Sequence, residues 1–314
     1  MTKNLKISSL EELLKTNITQ PQMIAEPIIS QGGLVGLYAP RGVGKTFVSM
    51  EIAYCVAMGL DIFGGKWKVI EAHKVLFIDG EMPLWALMKR FRKIHDRHQG
   101  KHETNLQIFN NEEQSITVAM DIMEEEYRNA IDANLDGVSL LILDNLSSLC
   151  YGKENDSTSW GVVQQWLLSI RKRGISILIV HHAGKNGKQR GTSRMEDTLD
   201  TLIKLDKQGK ASDGCYFIVK YEKNRHFFGV DANPFAVRLN NNRNQWEISQ
   251  TEESIVNDEK QREEAEKDLK IIEIRNDNKT FDEIAKTLKV GKDRISKVYK
   301  AAKLSCDDVD MNKE

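Results

Sequence analysis

A doubly wound α/β domain with a mostly parallel sheet, followed by a small helical module, is the fold this sequence predicts, and three observations predict it. Short apolar runs recur at 34–38, 75–78, 140–143, 175–180, 202–205 and 215–219. Helix-like stretches at 46–58, 83–95, 122–133 and 159–173 lie between them, and strand–helix alternation is the mark of an α/β sheet. A glycine-rich turn joins the first run to its helix. The first four runs lack polar alternation, as expected of central strands covered on both faces. Residues 237–239 and 245–248, set between asparagine-rich turns, read as an edge hairpin.

The chain has 314 residues, more than one typical core of about 150 residues. The expected division is an N-terminal arm (1–30), the α/β domain (31–250), a charged helix or linker (251–279), a helix-turn-helix module (280–304) and a tail (305–314). In the arm, Ser8 and Glu11 fit a capping box before a short helix bearing Leu10, Leu13 and Leu14, and Pro21 and Pro27 keep the chain extended beyond it. Lys and Arg number 45 against 46 Asp and Glu, so only local patches can argue for nucleic acid. No apolar run approaches the roughly 18 residues that span a bilayer, and the N-terminus lacks a signal-peptide pattern. Cys55, Cys150, Cys215 and Cys306 are scattered without a CxxC pair, so neither a disulfide scaffold nor a cysteine-based zinc site is expected, and cytoplasm is the natural setting. His95, His98 and His102 read as an exposed polar helix face rather than a metal site, and Trp85, Trp160 and Trp166 as packing residues.

The turn after the first strand reads Ala39, Pro40, Arg41, Gly42, Val43, Gly44, Lys45, Thr46, with Phe47 next. It fits the phosphate-binding template GxxxxGK[ST], except that alanine stands at the first glycine. Glycines let backbone N–H groups turn around an anion, and the following helix adds its positive end. Lys45 can reach the β- and γ-phosphates of ATP, and the Thr46 hydroxyl can ligate Mg²⁺. The run at 140–143 ends in Asp144, a carboxylate placed to hold the Mg²⁺ shell opposite Thr46. The run at 75–78 ends in Asp79, Gly80 and Glu81; Glu81 is the candidate base that orients the attacking water, and Asp79 a candidate cap. A kinase of small molecules has no need of such a base.

The order of these three strand ends resembles the RecA/DnaB-type P-loop ATPases, most closely the plasmid RepA-type hexameric helicases and mobile-element ATPases, over about residues 30–230. That resemblance implies a RecA-like core, ATP held between subunits of a ring or filament with a hexamer expected, and action on single-stranded DNA. It further implies a γ-phosphate sensor at the strand end carrying His181 and His182, of which His182 is taken as catalytic. Loop 184–194 corresponds to the channel loop, with Lys185, Lys188, Arg190 and Arg194 as phosphate contacts to single-stranded DNA. Lys223 and Arg225 match the Lys-x-Arg pair that reaches ATP bound by the neighbour, Arg225 as the arginine finger.

Residues 280–303 read as helix-turn-helix: Phe281, Ile284, Ala285 and Leu288 form one face, Gly291 the turn, and Ile295, Val298 and Tyr299 pack the second helix. Lys292, Arg294 and Lys297 on that helix are candidate contacts to duplex DNA. The reading is an oligomeric ATP hydrolase acting on DNA, helicase-like and of plasmid or mobile-element type. The alternative is an ATP-switched DNA-binding regulator with little or no unwinding.

Overall fold

In the computed structural model, residues 5–100, 105–114, 119–150, 157–183, 193–209, 215–277 and 279–310 are described, the side chains of 157–159, 193–195, 261 and 303–310 excepted. The chain divides into two units: residues 1–228 with 235–249, and residues 229–234 with 250–314. No helix among the described residues is long and apolar enough to cross a membrane.

In the first unit, a short helix α1 (Leu10–Leu14) precedes a two-stranded sheet of β1 (Met23–Ala25) and β2 (Ile29–Ser30). The alternation expected from sequence follows: β3 (Leu34–Ala39), α2 (Lys45–Met58), β4 (Val75–Asp79), α3 (Leu84–Arg97), β5 (Leu106–Asn110), α4 (Glu125–Asp132), β6 (Leu140–Asp144) and α5 (Leu146–Leu149). Next come α6 (Ser157–Lys172), β7 (Ser176–His182), α7 (Ser193–Thr198), β8 (Thr201–Lys207), β9 (Tyr216–Asn224), β10 (Phe235–Asn240) and β11 (Gln245–Gln250). Nine strands form one sheet in the order β11-β10-β9-β8-β3-β7-β6-β4-β5. The six strands from β8 to β5 are parallel, and β9 and β10 add antiparallel pairs.

Every residue of β3, β4 and β6 is buried, which is why these strands read as unbroken apolar runs. Alternate side chains face opposite sides. Leu34, Tyr38, Leu76, Ile78, Leu141, Leu143, Ile177 and Ile179 pack with α4, α5 and α6 through Ile131, Leu146, Leu149, Val163, Leu167 and Ile170. Helix α2 touches β3, β4, β6 and β7 but adds nothing to that cluster, so it covers the other face. This is the doubly wound, RecA-like architecture.

Several local expectations change. The capping box is Ser9 with Glu12, one residue later than Ser8 with Glu11. Trp160 and Trp166 are buried, but Trp85 is 69% exposed on the first turn of α3 and is no core packing residue. His95 and His98 are no exposed face: His95 Nδ1 lies 3.1 Å from the Tyr54 hydroxyl and His98 pairs with buried Glu51. His102 lies outside the described residues.

In the second unit, α8 (Glu252–Asn276), α9 (Phe281–Leu288) and α10 (Lys292–Asp310) share a core of Ile271, Ile284 and Ile295. The charged segment is therefore a packing element, through Ile271. Thr280 and Glu283 cap α9 reciprocally. The left-handed residue of the turn is Lys289 at φ 53°, and Gly291 has no positive φ, so the turn does not depend on that glycine. Helix α10 continues through the stretch read as a tail to Asp310.

Candidate functional site

The C-terminal ends of β3, β4, β6 and β7 converge on one crevice of ≈ 270 Å³, as expected where ligands bind in an open α/β sheet. Arg41, Gly42, Gly44, Lys45, Thr46 and Phe47 line one wall; Asp79, Glu81, Met82, Asn145 and His182 line the others. Sequence therefore identified most of this wall.

The loop's geometry explains its composition. Gly42 and Gly44 have φ of 76° and 126°, a region that penalises side chains. A Cβ on Gly44 would also come within 2.9 Å of Cys215 Sγ. Ala39, by contrast, sits inside β3 without positive φ, so its methyl is accepted where the template has glycine. Val43 is buried and does not line the crevice, while Ala39 and Pro40 act through their carbonyls, which accept from Lys45 Nζ at 2.9 and 3.1 Å.

Lys45 is buried, and burial lowers its pKa to about 8 despite the pull of Asp144 and Glu81. It is an ammonium tied to neutral carbonyls, so an anionic phosphate would supply the missing counter-charge. Asp144 is buried at the end of β6; its Oδ2 accepts from Ser49 Oγ at 2.6 Å and its Oδ1 from Thr46 Oγ1 at 3.5 Å. Burial pushes its pKa up to about 6, with the two hydroxyls and Lys45 opposing. Two hydroxyls beside one carboxylate form a hard oxygen set that fits Mg²⁺.

Glu81 stands on a turn built by its neighbours. Asp79 is buried at the floor of the crevice, and its Oδ2 accepts from Met82 N at 2.9 Å and Asn110 Nδ2 at 3.1 Å, so it fixes the turn. Burial raises it to about 7. Gly80 donates to the Asp144 carbonyl at 2.9 Å, and a Cβ there would meet Leu149 Cδ2 at 2.7 Å, so only glycine lets this turn lie against α5. The Glu81 side chain is 61% exposed. Asn145 Nδ2 donates to its Oε2, and His182 Nε2 lies 3.9 Å from the same oxygen. His181 is buried behind, its Nδ1 accepting from His182 N at 2.8 Å.

Ser49, Asn145, Arg90 and Cys215 were missed by sequence reasoning. Asn145 follows the strand-end aspartate, and Ser49 follows Thr46 by three positions on the same helix, so spacing could have found both. Arg90 places its guanidinium 4.5 Å from the Phe47 ring centroid, a tertiary contact with no local signal.

Lys223 and Arg225 are not in this crevice. β9 runs antiparallel to β8, with Thr201 opposite Asn224, so the pair lies at the far edge of the sheet, about 20 Å of strand away. There Arg225 donates to the Asp197 carbonyl at 2.8 Å and Lys223 Nζ bonds the Glu196 and Asp197 carbonyls. Lys185, Lys188 and Arg190 lie outside the described residues, and Arg194 is described only as backbone of α7. In the second unit Lys292 pairs with Asp282 and Arg294 with Asp268, while Lys297 is exposed.

The sequence matches the AAA domain family over residues 2–188, more than half of the chain. No curated protein matches it. Among solved structures, a KaiC-like protein from the hyperthermophilic archaeon Pyrococcus horikoshii is similar at 15% identity and TM-score 0.50, covering 71% of this chain and 93% of that one. The RadB recombinase is similar at 15% identity and TM-score 0.48, with the same coverage.

Proposed function

The chain belongs to the AAA domain family, and from that premise we propose that it hydrolyses ATP in the crevice at the ends of β3, β4 and β6, as a homo-oligomer acting on DNA. One observation supports this reading above the others: Lys45, Thr46 and Glu81 line one cavity at three neighbouring strand ends, and buried Asp144 reaches its wall through hydrogen bonds from Thr46 and Ser49.

In this mechanism the loop from Arg41 to Thr46 binds the triphosphate through backbone N–H groups, and Lys45 leaves its carbonyl partners for the β- and γ-phosphates. Thr46, Ser49 and Asp144 would hold Mg²⁺, which would offset the charge of the phosphates. Glu81, oriented by Asn145, positions the attacking water and accepts its proton. His182, beside Glu81, senses the γ-phosphate and passes its state along β7 to loop 184–194, whose Lys185, Lys188, Arg190 and Arg194 contact single-stranded DNA. Lys223 and Arg225 serve the neighbour's site; their distance from the crevice of their own chain supports a role in trans. The segment order resembles that of plasmid RepA-type and mobile-element ATPases.

A second reading is favoured by the three-helix C-terminal unit, where Lys297 is exposed on the second helix of the pair. In it, Lys292, Arg294 and Lys297 dock duplex DNA and ATP merely switches assembly. Turnover and strand separation, measured with and without single-stranded DNA, test the two. DNA-stimulated hydrolysis with unwinding supports the first; slow, unstimulated hydrolysis with duplex-selective binding supports the second. Arg225→Ala is expected to keep ATP binding and lower turnover. Equal hydrolysis by the variant and the parent protein sinks the trans role.

A further inference from the structure

Helix α2 carries two buried side chains beyond the crevice, Glu51 and Cys55. Four residues apart, they share one face of the helix. His98, at the C-terminal end of α3, meets them. Its Nε2 is 2.8 Å from Glu51 Oε1 and 3.5 Å from Cys55 Sγ, and that sulfur is 3.9 Å from the same Oε1. An oxygen, a nitrogen and a sulfur thus surround one point, all within 4.8 Å of one another. Zinc takes such ligands at about 2.0–2.3 Å, which sets them roughly 3.3–3.7 Å apart around a tetrahedron.

We propose that Glu51, Cys55 and His98 form a structural site for a borderline-soft divalent metal ion, zinc by its donor set, separate from the Mg²⁺ positions in the crevice. The Cys55 thiol donates to Glu51 Oε1 over a long 3.9 Å, and the same oxygen meets His98 Nε2 at 2.8 Å, so one carboxylate oxygen gathers the sulfur and the nitrogen around a single point. The surroundings orient all three ligands. Arg97 takes the other carboxylate oxygen, Oε2, and leaves Oε1 facing Cys55 and His98. The hairpin turn anchors Arg97: its Nε donates to the Asn244 carbonyl at 3.0 Å and its guanidinium lies 5.2 Å from the Trp246 ring centroid. The Tyr54 ring stacks on His98 at 5.6 Å and 20°. Supporting contacts of this kind fix metal ligands. The His98 side chain is 20% exposed, which gives solvent a path to the fourth position.

Binding forms a sulfur–metal bond and releases the Cys55 thiol proton to solvent, and His98 binds through Nε2 with its proton on Nδ1. Because the metal displaces the thiol proton, affinity falls as pH falls. The ion would tie the phosphate-loop helix to the end of α3. No local motif announces it, because Cys55 and His98 are 43 residues apart.

The test titrates the chelator-stripped full chain with Co²⁺ in excess Mg²⁺. One equivalent is expected to give a thiolate-to-cobalt charge-transfer band, release about one proton, raise Tm and yield to Zn²⁺. Cys55→Ala and His98→Gln are expected to lose the band; Cys150→Ala and Lys45→Ala are expected to keep it, which separates this site from the nucleotide site. No band in the parent protein overturns the proposal, as does an undiminished band in folded Cys55→Ala. If Cys55→Ala does not fold, an undiminished band and affinity in His98→Gln overturn it.

Discussion

At the crevice end of the parallel strands, Asp79 and Asp144 are buried carboxylates whose hydrogen-bond partners are neutral: Met82 N and Asn110 for one, Ser49 and Thr46 for the other. At the opposite end, Asp200 is equally buried but answered by charge. Arg171 lies at 3.1 Å, Arg225 at 3.6 Å, and the Leu34 N–H donates to it at 3.0 Å. One end leaves its charge to be completed by a bound cation and phosphates; the other completes it within the chain. Unmet buried charge costs stability, and its concentration at one strand edge is what a functional site looks like.

Four substitutions can break or sharpen that contrast, taken from the largest expected effect. Lys45→Ala is expected to cut ATP turnover by about 10³-fold, because a buried cation aimed at the phosphates is lost. Thermal unfolding should change less than turnover does, since among the described residues Lys45 donates hydrogen bonds to two backbone carbonyls. Glu81→Gln is expected to lower turnover by about 10²-fold or more while nucleotide affinity persists, since it removes the proton acceptor but not the phosphate contacts. Single-turnover kinetics separate the two effects.

At the other end, Asp200→Ala should cost about 3 kcal/mol in denaturant unfolding, because Arg171 is left without its buried partner. ATP affinity of the folded protein should not change. Comparable loss of affinity would show that the two ends are not independent.

The smallest effect concerns pH. Asp144 and Asp79 have folded-state pKa values of about 6 and about 7, above the ordinary 3.8. At these two groups the folded chain keeps protons that the unfolded chain releases, so their contribution to stability is full below about pH 4 and declines as pH rises through 6 to 7. In chelator, Asp144→Asn should flatten this slope and stabilise the nucleotide-free protein by about 3 kcal/mol at pH 8. An unchanged slope would mean that the buried carboxylates are compensated after all.

The contrast also explains what the sequence could reveal. The strands β3, β4, β6 and β7 were legible because burial on both faces leaves an apolar run, and the phosphate loop because Gly42, Gly44, Lys45 and Thr46 fall within five consecutive positions. β5 was not, since its partly exposed Leu106–Asn110 carries polar residues amid the apolar ones. The helix cap slipped by one because Ser8–Glu11 and Ser9–Glu12 satisfy the same spacing. Asp200 was unreadable as a hub: its partners lie 29 residues before it in Arg171 and 166 before it in Leu34, joined only by the β3–β8 pairing. The cluster of Glu51 with Arg97 and His98 was hidden for the same reason, and its histidine passed for an exposed residue.

The central claim is that the loop between β3 and α2 grips the triphosphate of ATP with Mg²⁺. Calorimetric titration of the full chain with ATP and Mg²⁺, beside Lys45→Ala, tests it most directly. The account predicts saturable binding that is lost in the variant; absence of heat in the parent protein, or equal binding by both, would contradict it.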